Sequence, residues 1–407
     1  MKTILSFTEN YARGGGNRYM IDCLNGLKYL PCELHLASNP GGVETWDTQR
    51  LELKHQAHSW PIWTATRWAV KIVGNRGMVG GWLRKAVNLL CLLGTPVFQI
   101  HNFFLFLLCL RRIRPHWVIA FNGGYPGGSS IQALCWACRW LGIPVVMSVV
   151  SQPIPNRGRE RLLSILRDKL LWRTVSAVQV NAAVIANRLV MERGLPPSKW
   201  MLIPNGVSDR ASRPIDPMLP PRSYSRTSAD FILGFVGRIE SQKGIWVLIE
   251  AVERIRRIHP GVRFELVGGG PEVDAARREC RIRGIESNVV FRGFREGPIE
   301  ALLEGWDAFV FPSLQEGLPY VVLEAMRSAL PIVASDVGGV PEAVRDDQEA
   351  ILVRPGSVDD LTRGILKILQ DGALRERLGK AARSRFLSEF TVETMHEKVA
   401  RAWAPWL

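Results

Sequence analysis

AFVFPSLQEGLPYVVLEAM, from Ala308 to Met326, reads as a strand, a loop and a helix in that order. Four residues run as a strand to Phe311, the loop spans Pro312 to Pro319, and a helical pattern carrying Glu324 follows. Proline suits the first turn of a helix, where the N–H it lacks would have no partner. Glu316 therefore lies in the loop and Glu324 about a turn inside the helix, facing the same crevice. Between them the N–H groups of Gly317 and Leu318 point outward with the positive end of the helix dipole, ready for a phosphate. Carboxylates accept hydrogen bonds strongly, so the pair suits hydroxyl-rich groups, a ribose for one and a hexose for the other. Taken alone, Glu324 reads as an ordinary surface residue of a helix.

The same strand-then-helix unit recurs along the chain, in two series, and such units in series build a parallel sheet. The first series has strands at Thr3–Phe7, Leu34–Ala37, Trp117–Phe121, Val145–Val149, Ala177–Val180 and Met201–Ile203. The second has Phe231–Val236, Arg263–Val267, Val289–Phe291, Ala308–Phe311, Pro331–Ala334 and Ala350–Val353. Between them Pro204 to Asp230 carries five prolines among Ser, Arg and Asp, a composition of a linker. The fold class is thus α/β, with two Rossmann-like doubly wound domains facing each other across a cleft. Ligands of such folds sit at the carboxyl ends of the strands, so functional residues belong in the βα loops.

Bulk properties agree. At 407 residues the chain has room for two domains of roughly 150 residues or more, and its 47% apolar content supplies large cores. Of the +14 net charge, the half before Gly206 holds 24 Lys and Arg against 9 Asp and Glu, whereas the rest is balanced. An anionic partner for the first half follows, nucleic acid or an acidic membrane surface. Seven cysteines form no even-spaced disulfide framework, which fits a reducing cytoplasm. Cys135 and Cys138 lie among Leu134, Trp136 and Trp140 on what reads as a buried helix, where packing outweighs metal or redox chemistry. MKTILSFTEN lacks the apolar core of a signal peptide and reads as a first strand. Thr95 to Leu110, broken by Gln99, His101 and Asn102, falls short of the ~20 residues that span a bilayer.

Two further loops carry chemistry. After the first strand come Ala12-Arg13-Gly14-Gly15-Gly16-Asn17 and a helical pattern; N–H groups at a helix start favour an anion, and a flexible tight turn is the bland alternative. After the first strand of the second series, Val236-Gly237-Arg238-Ile239-Glu240-Ser241-Gln242-Lys243-Gly244 brings two cations into one loop. Arg238 offers a planar fork and Lys243 a point charge, a division suited to a diphosphate. As an isolated pair they would equally be solvated surface charges.

VGRIESQKG, LVGGGP at Leu266 to Pro271, VVFRGF at Val289 to Phe294 and PSLQEGLPYVVLEAM from Pro312, in that order and spacing, resemble retaining family-4 glycosyltransferases of the GT-B fold, the group 1 type. IPNGV at Ile203 to Val207 extends the resemblance backwards. It implies domains at 1–206, acceptor-binding, and 207–390, nucleotide-sugar-binding, with the C-terminal helix 391–407 packing back on the first through its tryptophans and a hinge near Asn205 and Gly206. It makes Arg238 and Lys243 the diphosphate ligands, Glu324 the ribose ligand and Glu316 the contact to donor-sugar hydroxyls. Gly317, Leu318 and Pro319 sit beside the phosphate, backbone around Arg292 and Phe294 meets the base, and Gly15 and Gly16 belong to a loop that closes over the donor. The donor it implies is a UDP- or GDP-sugar and the acceptor a sugar or lipid-linked saccharide; no carboxylate pair of the D-x-D type stands at a strand end, so no metal or other cofactor is expected.

Two positions depart from the family. Where many relatives carry a histidine after the fourth strand of the first domain, this chain has Asn122, which can hydrogen-bond a sugar hydroxyl but cannot take a proton. In relatives that retain configuration the leaving diphosphate itself is thought to accept the acceptor's proton, so no enzymic base is obligatory. Upstream, His101 reads as a packed side chain. Ala329 stands where relatives usually place glycine, a tolerable change if the local φ is negative.

Ten of the 14 tryptophans fall in the first half. Trp60, Trp63, Trp68 and Trp82 interleave with Arg67, Lys71, Arg76, Arg84 and Lys85, which reads either as a membrane-docking insertion or as a tryptophan-rich core under a basic face. Arg157 to Arg173 is a second basic helix open to the same two readings. The whole reading is a hexosyltransferase of cell-surface polysaccharide or glycolipid synthesis, cytoplasmic and peripheral at the inner face of the membrane. A catalytically inactive scaffold that binds nucleotide sugar is the alternative. No helix-turn-helix, zinc-finger or RNA-binding signature accompanies the charge, so nucleic acid is not an expected partner.

Overall fold

The computed structural model describes the chain apart from residues 10–14, 29, 41–49, 65–80, 156–160, 210–230 and 296–298, and apart from the side chains of 81–94 and 161. Its described residues divide into two compact units, Met1–Ile203 with His396–Leu407, and Pro204–Met395.

The first unit runs β1 (Lys2–Thr8), α1 (Gly15–Asn25), β2 (Cys32–Ser38), β3 (His55–Ser59), α2 (Gly81–Ile113), β4 (Trp117–Phe121), α3 (Ser129–Trp140), β5 (Val145–Val149), α4 (Arg161–Thr174), β6 (Ala177–Val180), α5 (Ala183–Arg193) and β7 (Trp200–Leu202). Its seven strands are parallel in the order β3-β2-β1-β4-β5-β6-β7. The central strands β4 and β5 are buried along their whole length, so both of their faces are apolar. The order reverses between β1 and β4, where Thr8 pairs with Phe121. Because right-handed crossovers carry the chain from β3 through β4 and β5 to β6 in one direction, α2, α3 and α4 share one face of the sheet.

The second unit runs β8 (Ile232–Val236), α6 (Ile245–Ile258), β9 (Arg263–Val267), α7 (Val273–Ile282), β10 (Val289–Gly293), α8 (Glu300–Gly305), β11 (Ala308–Phe311), α9 (Tyr320–Arg327), β12 (Ile332–Ser335), α10 (Val340–Ala343), β13 (Ala350–Val353), α11 (Val358–Gln370) and α12 (Gly372–Glu389), and enters α13 (Val392–Trp403). Six parallel strands follow the order β10-β9-β8-β11-β12-β13, reversing between β8 and β11. α6 and α11 bury an apolar stripe against this sheet, with Ile245, Leu248, Ile249, Val252 and Ile255 on α6 and Leu361, Ile365 and Ile368 on α11 all inside the core. α13 changes units at His396, and Trp403 near its end is wholly buried, stacked edge-on to Trp117 and hydrogen-bonded to Gln179 at 2.8 Å.

At three places the structure goes beyond the sequence reading or departs from it. β3, His55–Ser59, escapes the sequence reading because it is an edge strand of polar residues, half or fully exposed. Trp60 belongs to the core, packed against Phe7 and Phe106, and Trp63 stacks on His101 at 4.0 Å; Trp68 and Trp82 lie outside the described residues or side chains. Ala329 has φ +51, in the left-handed region, so the condition under which alanine is tolerable there is not met.

The reason for that strain is local. α9 ends in a Schellman turn, in which Ala329 N–H donates to the Met326 carbonyl and Leu330 N–H to the Ala325 carbonyl, and such a turn needs a left-handed residue at this place. A left-handed L-residue costs roughly 1–2 kcal/mol, of which glycine gives part back as unfolded-state entropy. Ala329→Gly is therefore expected to stabilise the second unit by about 0.5–1 kcal/mol. The check is a higher urea midpoint at an unchanged slope; a lower midpoint would refute the strain.

Candidate active site

In each unit the sequence-marked loops fall where strand order reverses. β1 and β4 lead into the glycine segment and into Asn122–Gly128; β8 and β11 lead into 237–244 and 312–319. Reversal leaves a crevice at the carboxyl ends of the two diverging strands, the usual ligand position in open parallel sheets.

The second unit builds its site from three backbones in contact. Gly244 has φ +72 and would place a Cβ 1.9 Å from the Pro312 carbonyl oxygen, so only glycine lets these two loops meet. Gly268, φ +143, abuts the Gly237 carbonyl in the same way, and Ile239 N–H donates to the Gly269 carbonyl at 2.9 Å. Leu314 N–H donates to the Gln242 carbonyl at 2.9 Å, tying the loop after β11 to the loop after β8.

This seam brings Lys243 onto Glu316, with Nζ 2.6 Å from Oε1, both largely buried. The Ser313 hydroxyl donates to the same oxygen at 2.6 Å and is itself fully buried. A cation and a carboxylate thus neutralise each other across two loops. Arg238 has a side chain that is 68% exposed and reaches Glu240 at 3.3 Å. Glu324 is a buried residue of α9, which removes the ordinary-surface reading of it. Pro319 is the residue that precedes the first turn of α9 rather than part of that turn. Gly317 and Leu318 stand just before that helix end, and their carbonyls are held by Gly339 N–H and by the Asn205 amide at 2.6 Å.

Arg292 lies on β10 and its guanidinium pairs with Glu265, whose other oxygen accepts from Trp306 Nε1 at 3.0 Å. Burial alone would raise the Glu265 carboxyl, but the Arg292 and Trp306 hydrogen bonds hold it below the usual carboxylate range. Phe294 is exposed beside Gly269, its Cβ 3.6 Å from where a Cβ there would stand.

In the first unit Gly15 and Gly16 form the first turn of α1 and are exposed, with residues 10–14 of the preceding loop outside the described residues. Asn122 is committed to its own loop. Its amide donates to the Gly124 carbonyl at 2.7 Å and the Pro126 carbonyl at 3.2 Å, and its carbonyl accepts from Gly128 N–H at 3.0 Å. Both amide hydrogens are thereby spent, so Asn122 braces the loop instead of offering a donor to a sugar hydroxyl. Burial pushes the Cys135 thiol up to about 12 and Cys138 well above its ordinary value, as core cysteines rather than reactive ones. No group of three or more His, Cys, Asp or Glu among the described residues could hold a metal ion.

Sequence reasoning passed over Ser313, which orients Glu316, and Gly244, which admits the contact between loops. Both were in the quoted segments; neither residue type announces such a role alone.

Two parallel α/β sheets with the sequence-marked loops at their switch points define the class, the GT-B architecture. The crystal structure of HepE from Anabaena in complex with UDP matches over 100% of both chains with a TM-score of 0.71 and 18% identity. Within that class, residues 221–385 match the model of the family of glycosyl transferases group 1. Glycogen synthase of Mycobacterium tuberculosis is 34% identical over 170 residues, 42% of this chain and 41% of that protein. Sulfoquinovosyl transferase SQD2 of Arabidopsis thaliana is 30% identical over 288 residues, 67% of this chain and 54% of that one. The chain thus spans about half the length of these curated relatives, or less.

Proposed function

We propose that this chain is a glycosyltransferase, moving a hexose from a UDP- or GDP-sugar to a saccharide or lipid-linked saccharide acceptor with retention of configuration, in polysaccharide or glycolipid synthesis at the inner face of a membrane. The observation that carries this reading is the Lys243–Glu316–Ser313 cluster at the β8/β11 reversal, where a cation and a hydroxyl-binding carboxylate meet. HepE, of the same fold, has been crystallised with UDP and with UDP-glucose, which supports a uridine donor.

In the proposed reaction the donor's sugar–phosphate bond breaks as the acceptor oxygen bonds the same carbon from the same face. The acceptor's proton passes to the departing diphosphate. Lys243 and Arg238 stabilise the charge that develops on it, Glu316 orients the sugar hydroxyls and Glu324 the ribose. A dedicated base is not needed, consistent with Asn122 being spent on its loop. These two cations supply the charge stabilisation, and the reaction is proposed to need no bound metal.

Isothermal titration with a panel of UDP- and GDP-sugars tests the donor site. One nucleotide sugar is expected to bind at micromolar affinity, and Glu324→Ala and the pair Arg238→Ala with Lys243→Ala to lose at least tenfold. Absence of binding to every member of the panel would overturn the reading.

A further inference from the structure

The first unit leaves a broad apolar surface uncovered on one side of its sheet. On α2, Val97, Ile100, Phe104 and Leu108 are 58–66% exposed, at spacings of three, four and four that make one stripe. The opposite side of the same helix buries Phe106, Leu107 and Leu110. On α4, Leu162, Leu163, Leu166 and Leu170 are 50–71% exposed while Asp168, Leu171 and Trp172 face inward. α3 lies between these two helices and ends in Trp140, 71% exposed and edge-on to Phe103 of α2. Isolated exposed apolar residues are ordinary, but two helical stripes flanking a tryptophan on one sheet face form a contiguous patch of the kind that marks an interaction site.

Charge identifies the occupant. Lys and Arg number four on α2, one on α3 and four on α4, against a single acid, Asp168, which is buried in an ion pair with Arg193. Among those whose side chains are described, Arg111, Arg112, Arg139, Lys169 and Arg173 are exposed. A second copy of this face would set cation against cation. A surface that is apolar below and anionic above satisfies both the leucines and the arginines, and that is the boundary of an anionic bilayer, where aliphatic side chains enter the acyl region and cations meet headgroups. No helix among the described residues is long and apolar enough to cross a membrane, so contact would be lateral.

We infer that the outward face of α2, α3 and α4 is the surface by which this protein docks on anionic membranes. The inference deepens the proposed membrane-side function, on which it rests, and places the contact on these helices, of which α4 falls largely within the second basic segment of the sequence reading. α4 also holds the loop after β4 through Tyr125 Oη and Asp168 Oδ1, 2.7 Å apart, so the docking helix and the proposed acceptor-side loop are one packed piece. A lipid-anchored acceptor would find its head group beside that loop without leaving the bilayer.

The test is co-sedimentation of the full chain with phosphatidylcholine vesicles, with and without about 30% phosphatidylglycerol, for wild type and for Leu163→Glu with Leu166→Glu. Both leucines are exposed, so the variant retains its fold, checked by circular dichroism. Wild type is expected to bind anionic vesicles at least tenfold better than neutral ones, and the variant to lose at least tenfold. Equal binding by variant and wild type, no binding at low salt, or a vesicle-free dimer that the variant dissolves would each overturn the inference. UDP-sugar titration on the same preparations separates the two levels: donor binding without vesicle binding removes the docking face alone, and loss of donor binding in wild type removes the proposed function.

Discussion

Glu316→Gln is expected to tighten binding of the free nucleoside diphosphate several-fold while lowering turnover about a hundredfold. The two effects have opposite signs because Glu316 plays against Lys243 before the donor arrives and beside it afterwards. Lys243 Nζ is 2.6 Å from Glu316 Oε1. A diphosphate must compete with that carboxylate for the ammonium, and for a partly buried pair the competition costs about 1 kcal/mol, a factor of roughly five. Glutamine removes the competitor and keeps the shape. It also removes the charged acceptor proposed to hold the sugar hydroxyls, and hydrogen bonds to charged groups contribute about 1.5–3 kcal/mol, or some tenfold to a hundredfold and more in rate. Lys243→Ala should instead weaken nucleotide binding and reduce kcat/KM by about 10²–10³, the scale of losing one donor to a developing anion. Titration calorimetry with product and steady-state turnover on both variants make the comparison. If Glu316→Gln weakened nucleotide binding as Lys243→Ala does, the pair would be a structural tie between loops.

The central strands were readable in the sequence because burial on both faces makes them nearly continuous apolar runs: Trp117–Phe121, Val145–Val149 and Ala308–Phe311 begin and end where the sequence puts them. β3 was not, because an edge strand with one open side needs no apolar run, and HQAHS has none. Ala329 shows a different limit. Its residue type argues for negative φ, and the helix-ending turn overrides it through two backbone hydrogen bonds that no local propensity encodes.

The candidate site was legible as loops and only in part as contacts. Lys243 and Glu316 are 73 residues apart, and what joins them is the adjacency of β8 and β11, a consequence of topology. Composition could show that α2 and α4 are basic and apolar. It could not show which leucines face outward, because an amphipathic helix with charges on its polar side reads the same whether its apolar stripe is covered or open. Asn122 was expected to meet a sugar, and its hydrogen bonds to Gly124, Pro126 and Gly128 appear only once the loop has closed around it.

That loop is also the place where a single substitution should do the greatest structural damage. Asp168 and Arg193 are almost wholly buried, Oδ2 to Nε 3.1 Å, and Asp168 Oδ1 accepts from Tyr125 Oη at 2.7 Å. Arg193 lies over the Tyr125 ring at 4.9 Å, Tyr125 stacks on Trp172 at 5.0 Å, and Trp172 Nε1 closes the circuit on the Arg193 carbonyl at 2.8 Å. Asp168→Ala strands a guanidinium in the interior and orphans a phenol, and breaking a buried pair from one side costs about 3–5 kcal/mol. The first unit is then expected to unfold about 10 °C lower, on the usual scale of 2–4 °C per kcal/mol for a domain of this size. Tyr125→Phe removes one hydrogen bond and leaves the ion pair, so its cost should be about 1 kcal/mol. Asp168→Leu with Arg193→Met removes both charges at similar volume and should recover most of the loss, because the attraction between buried ions largely repays their own desolvation. Calorimetric unfolding of the three variants decides the matter. A double variant no more stable than Asp168→Ala would show that the charges themselves, and not the avoidance of an unpaired one, hold α4, α5 and the loop together.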